Sequence, residues 1–318
     1  MIPEDKKYNV VVVGELNIDV ILNGIAGFPE MGKEIIAQDM TVTLGSSSAI
    51  FASNLSALGN RVSFVGKMGQ DNFAEQVLRS LLDRKVETGR IIRSSTSSTG
   101  ATIVLNYGQD RAMVTYPGAM EELKLDDIRK EFLEEASHLH FSSCFLQPGI
   151  RKALPELFRT AKQLGLTTSL DPQWDPAENW DLPLDQLLPW VDVFLPNMQE
   201  FLNLTKSLRL AEAIEKVKSF AQLLVIKDGS NGAWAWDGSQ LLQRPPYFNN
   251  EVVDCIGAGD SFNAGFIHKF VRKESLQECL SFGALTGAMS TTEAGGTKAF
   301  EQMDRFIRVA RDKFHYIV

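Results

Sequence analysis

Short β-branched runs alternate with stretches of helical periodicity along most of this chain. Val10–Val13 is a continuous apolar run, Ser48–Leu58 repeats at helical spacing, and Val62–Val65 and Phe73–Leu82 repeat the pair. The alternation resumes with strands expected at His138–Phe141, Thr167–Leu170, Val191–Leu195 and Leu223–Ile226, and helices at Ile150–Leu164 and Ala211–Phe220. Apolar runs of this kind belong to strands covered on both faces, so the pattern predicts an α/β fold with a mostly parallel sheet covered by helices. The last third reads as mostly helical, and Ser275 with Glu278 predicts a capping box opening a helix over 275–291.

Two segments break the alternation, Ile18–Leu44 and Ala101–Tyr116, and both look like inserted strands. Tyr107-Gly108-Gln109-Asp110-Arg111 sits between two strand-like runs and suggests a hairpin. A small sheet built from these insertions, about 17–44 and 98–118, would act as a lid over a cleft at the strand C-termini, and its exposed apolar face would favour a homodimer. No repeat, low-complexity run or linker demands a second independent domain, so residues 1–318 read as one domain with a lid.

With 318 residues, 44% hydrophobic and 23% charged, the chain can bury a large core. A formal charge of −8 argues against nucleic acid or an anionic membrane as the main partner. Cys144, Cys255 and Cys279 lack C-x-x-C spacing, which points away from a disulfide framework and towards a reducing compartment. The opening Met-Ile-Pro-Glu-Asp-Lys-Lys has no signal-peptide core and Val10–Val13 is too short to span a bilayer, so the expected location is the cytoplasm.

The stretch from Asp254 to Phe266, Asp-Cys-Ile-Gly-Ala-Gly-Asp-Ser-Phe-Asn-Ala-Gly-Phe, is a glycine-rich turn running into an apolar helix with a carboxylate at the junction. Gly257 and Gly259 permit a tight bend, so that the amides of Ala258, Gly259 and Asp260 can converge on an anion at the helix N-terminus. In that positive field Asp260 is expected to stay ionised and to take a proton from an incoming hydroxyl. An anion cradle beside a base suggests a kinase; a plain turn with Asp260 as helix cap is the alternative. A dinucleotide fingerprint would need glycine where Phe262 stands.

Asn17 and Asp19 follow the first strand, where an open parallel sheet places ligand contacts, and Asp19 would accept two sugar hydroxyls or else bond its own backbone. Gly45, Ser46 and Ser47, followed by Ser48, precede a helix and offer hydroxyls and free amides, or only a cap. Asn197 and Glu200, three apart after a strand, would hold Mg2+ through waters, with substrate phosphates completing its shell. Lys227, Gly229, Ser230 and Gly232 form a turn suited to nucleotide phosphate or ribose, though an isolated turn of this kind is more often only a β-turn. Gly27–Lys33 has P-loop spacing, but Glu34 stands where Ser or Thr should be and Glu34–Val42 reads as strand. His138 and His140 share a strand face without a third ligand nearby, and a G-x-S-x-G elbow is absent.

Together these pieces resemble the ribokinase family, the PfkB carbohydrate kinases, from Val10 to about Phe300. The resemblance implies a three-layer αβα domain with a small β-sheet lid, and ATP and Mg2+ acting on a small-molecule sugar. It implies Asp260 as base, the Gly257–Gly259 amides as anion hole and Asn17 with Asp19 as sugar contacts. Asn197 with Glu200 looks like the magnesium and phosphate motif, and Lys227–Gly232 like the nucleotide loop. Tyr116-Pro117-Gly118-Ala119 resembles the strand exit from the lid, and Gly295-Gly296 the segment near the adenine and a monovalent cation such as K+, for which Asp254 is the candidate contact.

Departures from the family pattern bear on the substrate. Three serines follow Gly45 where a second glycine is usual, Ile50 stands where an Asn is usual, and Cys255 stands where Ser, Thr, Pro or Val is usual. Gln173 and Asp175 follow Asp171-Pro172 where relatives that take fructose or acidic keto-sugars carry Asn and Arg, which disfavours an acidic sugar. The expected activity is transfer of the γ-phosphate of ATP to a hydroxymethyl group of a neutral sugar of fructose or ribose type. A nucleoside or 2-keto-3-deoxygluconate kinase is the alternative within the family, left open by the apolar Ile50 and Phe51, and a non-catalytic sugar-binding regulator is the alternative outside it.

Overall fold

Val10 and Val12 pack into one hydrophobic cluster and Val11 and Val13 into another, because alternate residues of a strand face opposite sides of a sheet. The computed structural model describes residues 6–107 and 110–317. In chain order the strands are β1 (Tyr8–Val13), β2 (Asn17–Asn23), β3 (Asp39–Leu44), β4 (Val62–Val65), β5 (Lys67–Met68), β6 (Ile92–Arg93), β7 (Gly100–Tyr107), β8 (Asp110–Tyr116), β9 (Ala136–Ser142), β10 (Thr167–Asp171), β11 (Val193–Phe194), β12 (Leu223–Lys227), β13 (Ala233–Trp236) and β14 (Leu241–Arg244). The main sheet runs β14-β13-β12-β11-β10-β9-β1-β4, parallel from β4 through β12 and antiparallel at the β13 and β14 edge.

One cluster is closed by helices Leu154–Gln163, Met198–Thr205 and Leu210–Val217. The other is closed by Ser47–Ala57, Asn72–Asp83, Ala258–Phe270 and Leu276–Ser290. Each amphipathic helix turns a 3.6-residue stripe inward, as Leu154, Leu157, Phe158 and Ala161 show. The terminal helix Met303–Phe314 buries Phe306, Ala310 and Phe314 against Phe282, Leu285, Met289 and Phe300.

Several boundaries differ from the sequence pattern. The helix expected over Ile150–Leu164 is broken into Pro148–Arg151 and Leu154–Gln163, since Pro155 fits a first helical turn but would clash inside a continuous helix. Of the expected Val191–Leu195 strand, Val193–Phe194 forms as β11. Half of the capping box at Ser275 forms: its hydroxyl accepts from the Glu278 amide at 3.2 Å, while the Glu278 carboxylate accepts from the Tyr316 hydroxyl and lies 3.3 Å from Lys269. The β13–β14 hairpin interrupts the expected helical last third.

A second sheet runs β3-β2-β7-β8, with β2 parallel to β7 and both other pairs antiparallel. Asn17 and Asp19 therefore stand on a strand of this sheet, with Asp19 opposite Thr102. The expected strand over Glu34–Val42 begins only at Asp39. The hairpin residues Gly108 and Gln109 lie outside the described residues, between the paired Tyr107 and Asp110. Among the described residues no helix is long and apolar enough to cross a membrane.

Candidate active site

Glu15 follows β1, while Ser142, Asp171 and Lys227 end β9, β10 and β12. These four positions share the C-terminal edge of the parallel strands, where an open α/β sheet places its ligands. The helix Ala258–Phe270 starts at the same edge, at Gly257 in the left-handed region with φ 71°. A Cβ on Gly257 would meet Gly296 Cα at 2.6 Å and Ile50 Cγ2 at 3.1 Å, so the turn needs glycine twice over. No side chain caps this helix, and the amides of Gly257, Gly259 and Asp260 have no acceptor among the described residues. The Ala258 amide, expected to join them, instead closes a turn onto Cys255 O at 3.3 Å. The vacant amides and the helix dipole fit a phosphate.

Asp260 is 8% exposed, and burial pushes its carboxyl up to about 7. Asp171 and Glu15 add to that shift, whereas the Ser47 hydroxyl and the Lys227 ammonium oppose it. The expectation that the helix field keeps Asp260 fully ionised is thus corrected: desolvation among neighbouring acids outweighs the dipole, and the group is poised near neutrality. Oδ1 accepts from the Ser47 hydroxyl and from Gln173 Nε2 at 3.0 Å. Asp171, wholly buried, is paired with Lys227 Nζ at 2.5 Å and accepts from Asn263 Nδ2. Lys227 stands beside the open turn, its Nζ 3.8 Å from where a Cβ on Gly259 would lie.

The predicted sugar contacts gather at the opposite wall. Asn17 Nδ2 donates to Asp19 Oδ1 at 3.2 Å and to Thr102 Oγ1 at 2.9 Å. Gly45 lies so close that a Cβ there would stand 2.2 Å from Asp19 Oδ1. Burial raises Asp19 to about 6, opposed by Asn17 and by Arg111 of β8. Ser46 spends its hydroxyl on the backbone, donating to Glu15 O at 2.6 Å and accepting from the Ala49 amide at 3.0 Å. Ile50 is buried against the Gly257 and Gly296 turns, and Phe51 stacks on His140 in the core.

Asn197 and Glu200 form a complete capping box at the helix Met198–Thr205. The Asn197 amide donates to Glu200 Oε2 at 2.8 Å, Asn197 Nδ2 to Oε1 at 2.6 Å, and the Glu200 amide to Asn197 Oδ1 at 2.8 Å. Both carboxylate oxygens are engaged and Glu200 is buried, which leaves contact through water as the form of magnesium binding the pair can support. Burial, reinforced by Asp171, lifts Glu200 to about 7. Gly229 and Ser230 are exposed in a 3-10 turn closed by Asp228 N donating to Gly232 O at 2.8 Å. Asp254 accepts from the amides of Ile256 at 2.8 Å and Gly295 at 3.0 Å, tying the open turn to the C-terminal loop.

Sequence reasoning passed over Glu15, which is buried and accepts from Ser48 N at 3.1 Å, the Ser48 hydroxyl and Ser143 Oγ at 3.0 Å. A lone acid inside the apolar exit of β1 was the available signal. Asp171, Gln173 and Asn263 stand out in the sequence only as parts of motifs. Asp175 caps the amides of Ala177 at 3.0 Å and Trp180 at 2.7 Å. His138 and His140 are buried core residues sharing Ser169 Oγ at 2.7 Å, and burial lowers both.

A parallel sheet whose C-terminal edge carries a glycine turn with free amides, a buried acid near neutrality and a hydrogen-bonded Asn17–Asp19 pair describes a phosphoryl-transfer enzyme. Residues 7–303 match the pfkB family carbohydrate kinases, and the chain belongs to that family. An uncharacterized sugar kinase of Archaeoglobus fulgidus is 27% identical over 241 residues, 76% of this chain and 95% of that protein. The ribokinase of Lactococcus lactis is 25% identical over 288 residues, 90% of this chain and 91% of its own. An E. coli protein solved in complex with ATP and Mg2+ has the same fold, with a TM-score of 0.82 over 96% of this chain and 99% of that one at 20% identity.

Proposed function

We propose that this chain is an ATP-dependent kinase of a neutral sugar of fructose or ribose type, acting on a hydroxymethyl group with Asp260 as the base. The observation that carries the reading is a carboxyl poised at about 7 on the first turn of a helix where the amides of Gly257, Gly259 and Asp260 have no acceptor among the described residues. Mg2+-ATP supplies the phosphoryl group, with Mg2+ held through water near Asn197 and Glu200 and the nucleotide along Lys227–Gly232 and Gly295. Asn17, Asp19 and the Gly45–Ser47 turn orient the sugar. The hydroxyl proton passes to Asp260 as the hydroxyl oxygen bonds the γ-phosphorus, the bond to the bridging oxygen breaks, and ADP leaves. The amides of Gly257, Gly259 and Asp260 stabilise the charge that develops. The second sheet serves as a lid that excludes water.

Neutrality of the sugar follows from charge. Asp260 faces the acids Asp171 and Glu15 as well as Lys227, and Asp19 faces Glu15 and Asp254 as well as Arg111, so the acids outnumber the cations around both groups, which disfavours an anionic acceptor. The buried placements of Ile50 and Phe51 leave neither as a platform for a nucleobase. We place the enzyme in the cytoplasm as a homodimer joined through exposed Met113, Val114 and Tyr116 of β8. The test is ADP release from Mg2+-ATP across neutral sugars, sugar phosphates, keto-deoxy acids and nucleosides, for wild type and Asp260→Asn. Release with a neutral sugar, falling about 10²- to 10⁴-fold in the variant at unchanged melting temperature, is the expected result. Near-normal turnover by folded Asp260→Asn would reject the base.

A further inference from the structure

The two oxygens of Asp260 have unlike surroundings. Oδ1 accepts from both Ser47 Oγ and Gln173 Nε2, whereas Oδ2 has no partner among the described residues and is not sealed from solvent. Gln173 is anchored from behind: its amide donates to Asp171 Oδ1 at 3.3 Å, and its Nε2 lies 3.0 Å from Asp171 Oδ2 and 2.6 Å from Ser47 Oγ. Its backbone holds this pose in the left-handed region at φ 60°, a conformation a non-glycine residue adopts only where its surroundings dictate it. Asp171 is fixed in turn by Lys227 and Asn263. A carboxamide nitrogen has two hydrogens. One can serve Asp171 while the other is shared between Ser47 and Asp260, so a neutral group bridges two acids.

We propose that Gln173 is a positioning residue for the base: anchored on Asp171, it holds Asp260 Oδ1 so that Oδ2 alone meets the substrate hydroxyl. This rests on the reading of Asp260 as base. The charged groups facing Asp260 are Asp171 on β10, Lys227 on β12, Glu15 after β1 and Glu200 on the helix Met198–Thr205. Removing the carboxamide takes a donor from Oδ1 and unscreens Asp171, and both effects favour the protonated acid. The acidic limb of the kcat profile therefore moves to higher pH.

The experiment is the pH dependence of kcat, with KM for ATP and for the sugar, for wild type, Gln173→Leu and Gln173→Glu. Gln173→Leu is expected to lose about 10- to 100-fold in kcat and to raise the acidic limb by about half a pH unit or more, with KM for ATP within about twofold of wild type. Gln173→Glu, nearly the same shape but acidic, is expected to raise the limb further, and it carries the test if Gln173→Leu does not fold. A limb that stays at the wild-type pH in the folded variants, or a loss confined to KM for the sugar, overturns the proposal. Wild-type protein that phosphorylates no sugar overturns the kinase reading and this proposal with it, whereas an unmoved limb in an active enzyme overturns this proposal alone.

Discussion

Two helices start next to each other at the edge of the main sheet and treat their free amides in opposite ways. Ser47–Ala57 packs on Ala258–Phe270, and Asn54 Nδ2 joins them by donating to Ser261 Oγ at 3.0 Å. Their N-cap residues share nearly the same φ, 70° at Ser46 and 71° at Gly257. The first helix is closed by its own chain: Ser46 Oγ takes the Ala49 amide, and the Glu15 carboxylate takes the Ser48 amide at 3.1 Å. The second leaves the amides of Gly257, Gly259 and Asp260 without an acceptor among the described residues. Any helix N-terminus attracts an anion, and an internal carboxylate decides which of these two remains available to a substrate phosphate.

Gly257→Ala should break the comparison most severely. The added methyl meets a backbone atom, Gly296 Cα at 2.6 Å, and an L-residue at φ 71° is strained besides. The turn must shift and carry the amides off target, with an expected fall in kcat of about 10²- to 10³-fold, the range seen when an oxyanion donor is lost. Stability should fall by only about 1–2 kcal/mol. Steady-state kinetics beside thermal melting checks this, and a variant that is less stable yet fully active would mean that the vacant turn does not serve the reaction.

The vacant turn was legible because its residues are consecutive, and β1 and β4 because each carries a local run of valines and other apolar residues. The closed turn was not, since its lock is distant in sequence: Glu15 meets Ser48 across 33 residues and Ser143 across 128. Gln173 was visible as a departure from a motif, but its tie to Asp260 spans 87 residues. The inserted strands around Asn17 and Asp19 were legible as a break in the alternation, while their partners were not, because β2 pairs with β7 about eighty residues on. The ionisation of Asp260 was misjudged for the same reason. The dipole is local and readable, whereas the desolvation and the neighbouring Asp171 and Glu15 come from tertiary structure.

Glu15→Gln tests the closed helix with an intermediate effect. Burial raises the Glu15 carboxyl above its ordinary value. A raised folded value means the wild-type group is best tolerated below the unfolded value near 4.5 and costs stability as pH rises through the folded one. Glutamine cannot ionise. The variant should be less stable than wild type at pH 5, by about 1 kcal/mol for the disturbed hydrogen bonds, and should close that gap or overtake by pH 8. Melting curves across that range decide it, and a gap that widens with pH would contradict the burial argument.

The smallest effect is expected from Ser46→Gly, which makes the two N-caps alike. Glycine relieves the strain of a φ of 70°, a gain of about 1 kcal/mol. It forfeits the cap on Ala49, which glycine replaces at a cost of a few tenths of a kcal/mol, and the bond to Glu15 O, about 1 kcal/mol. These terms nearly cancel, so the melting temperature should move by no more than a few degrees in either direction. A much larger drop would mean that the Ser46 hydroxyl, through Glu15 O, holds Glu15 itself in place. Closure of the first helix would then depend on one serine, and the contrast between the two helices would rest on that hydroxyl rather than on the carboxylate.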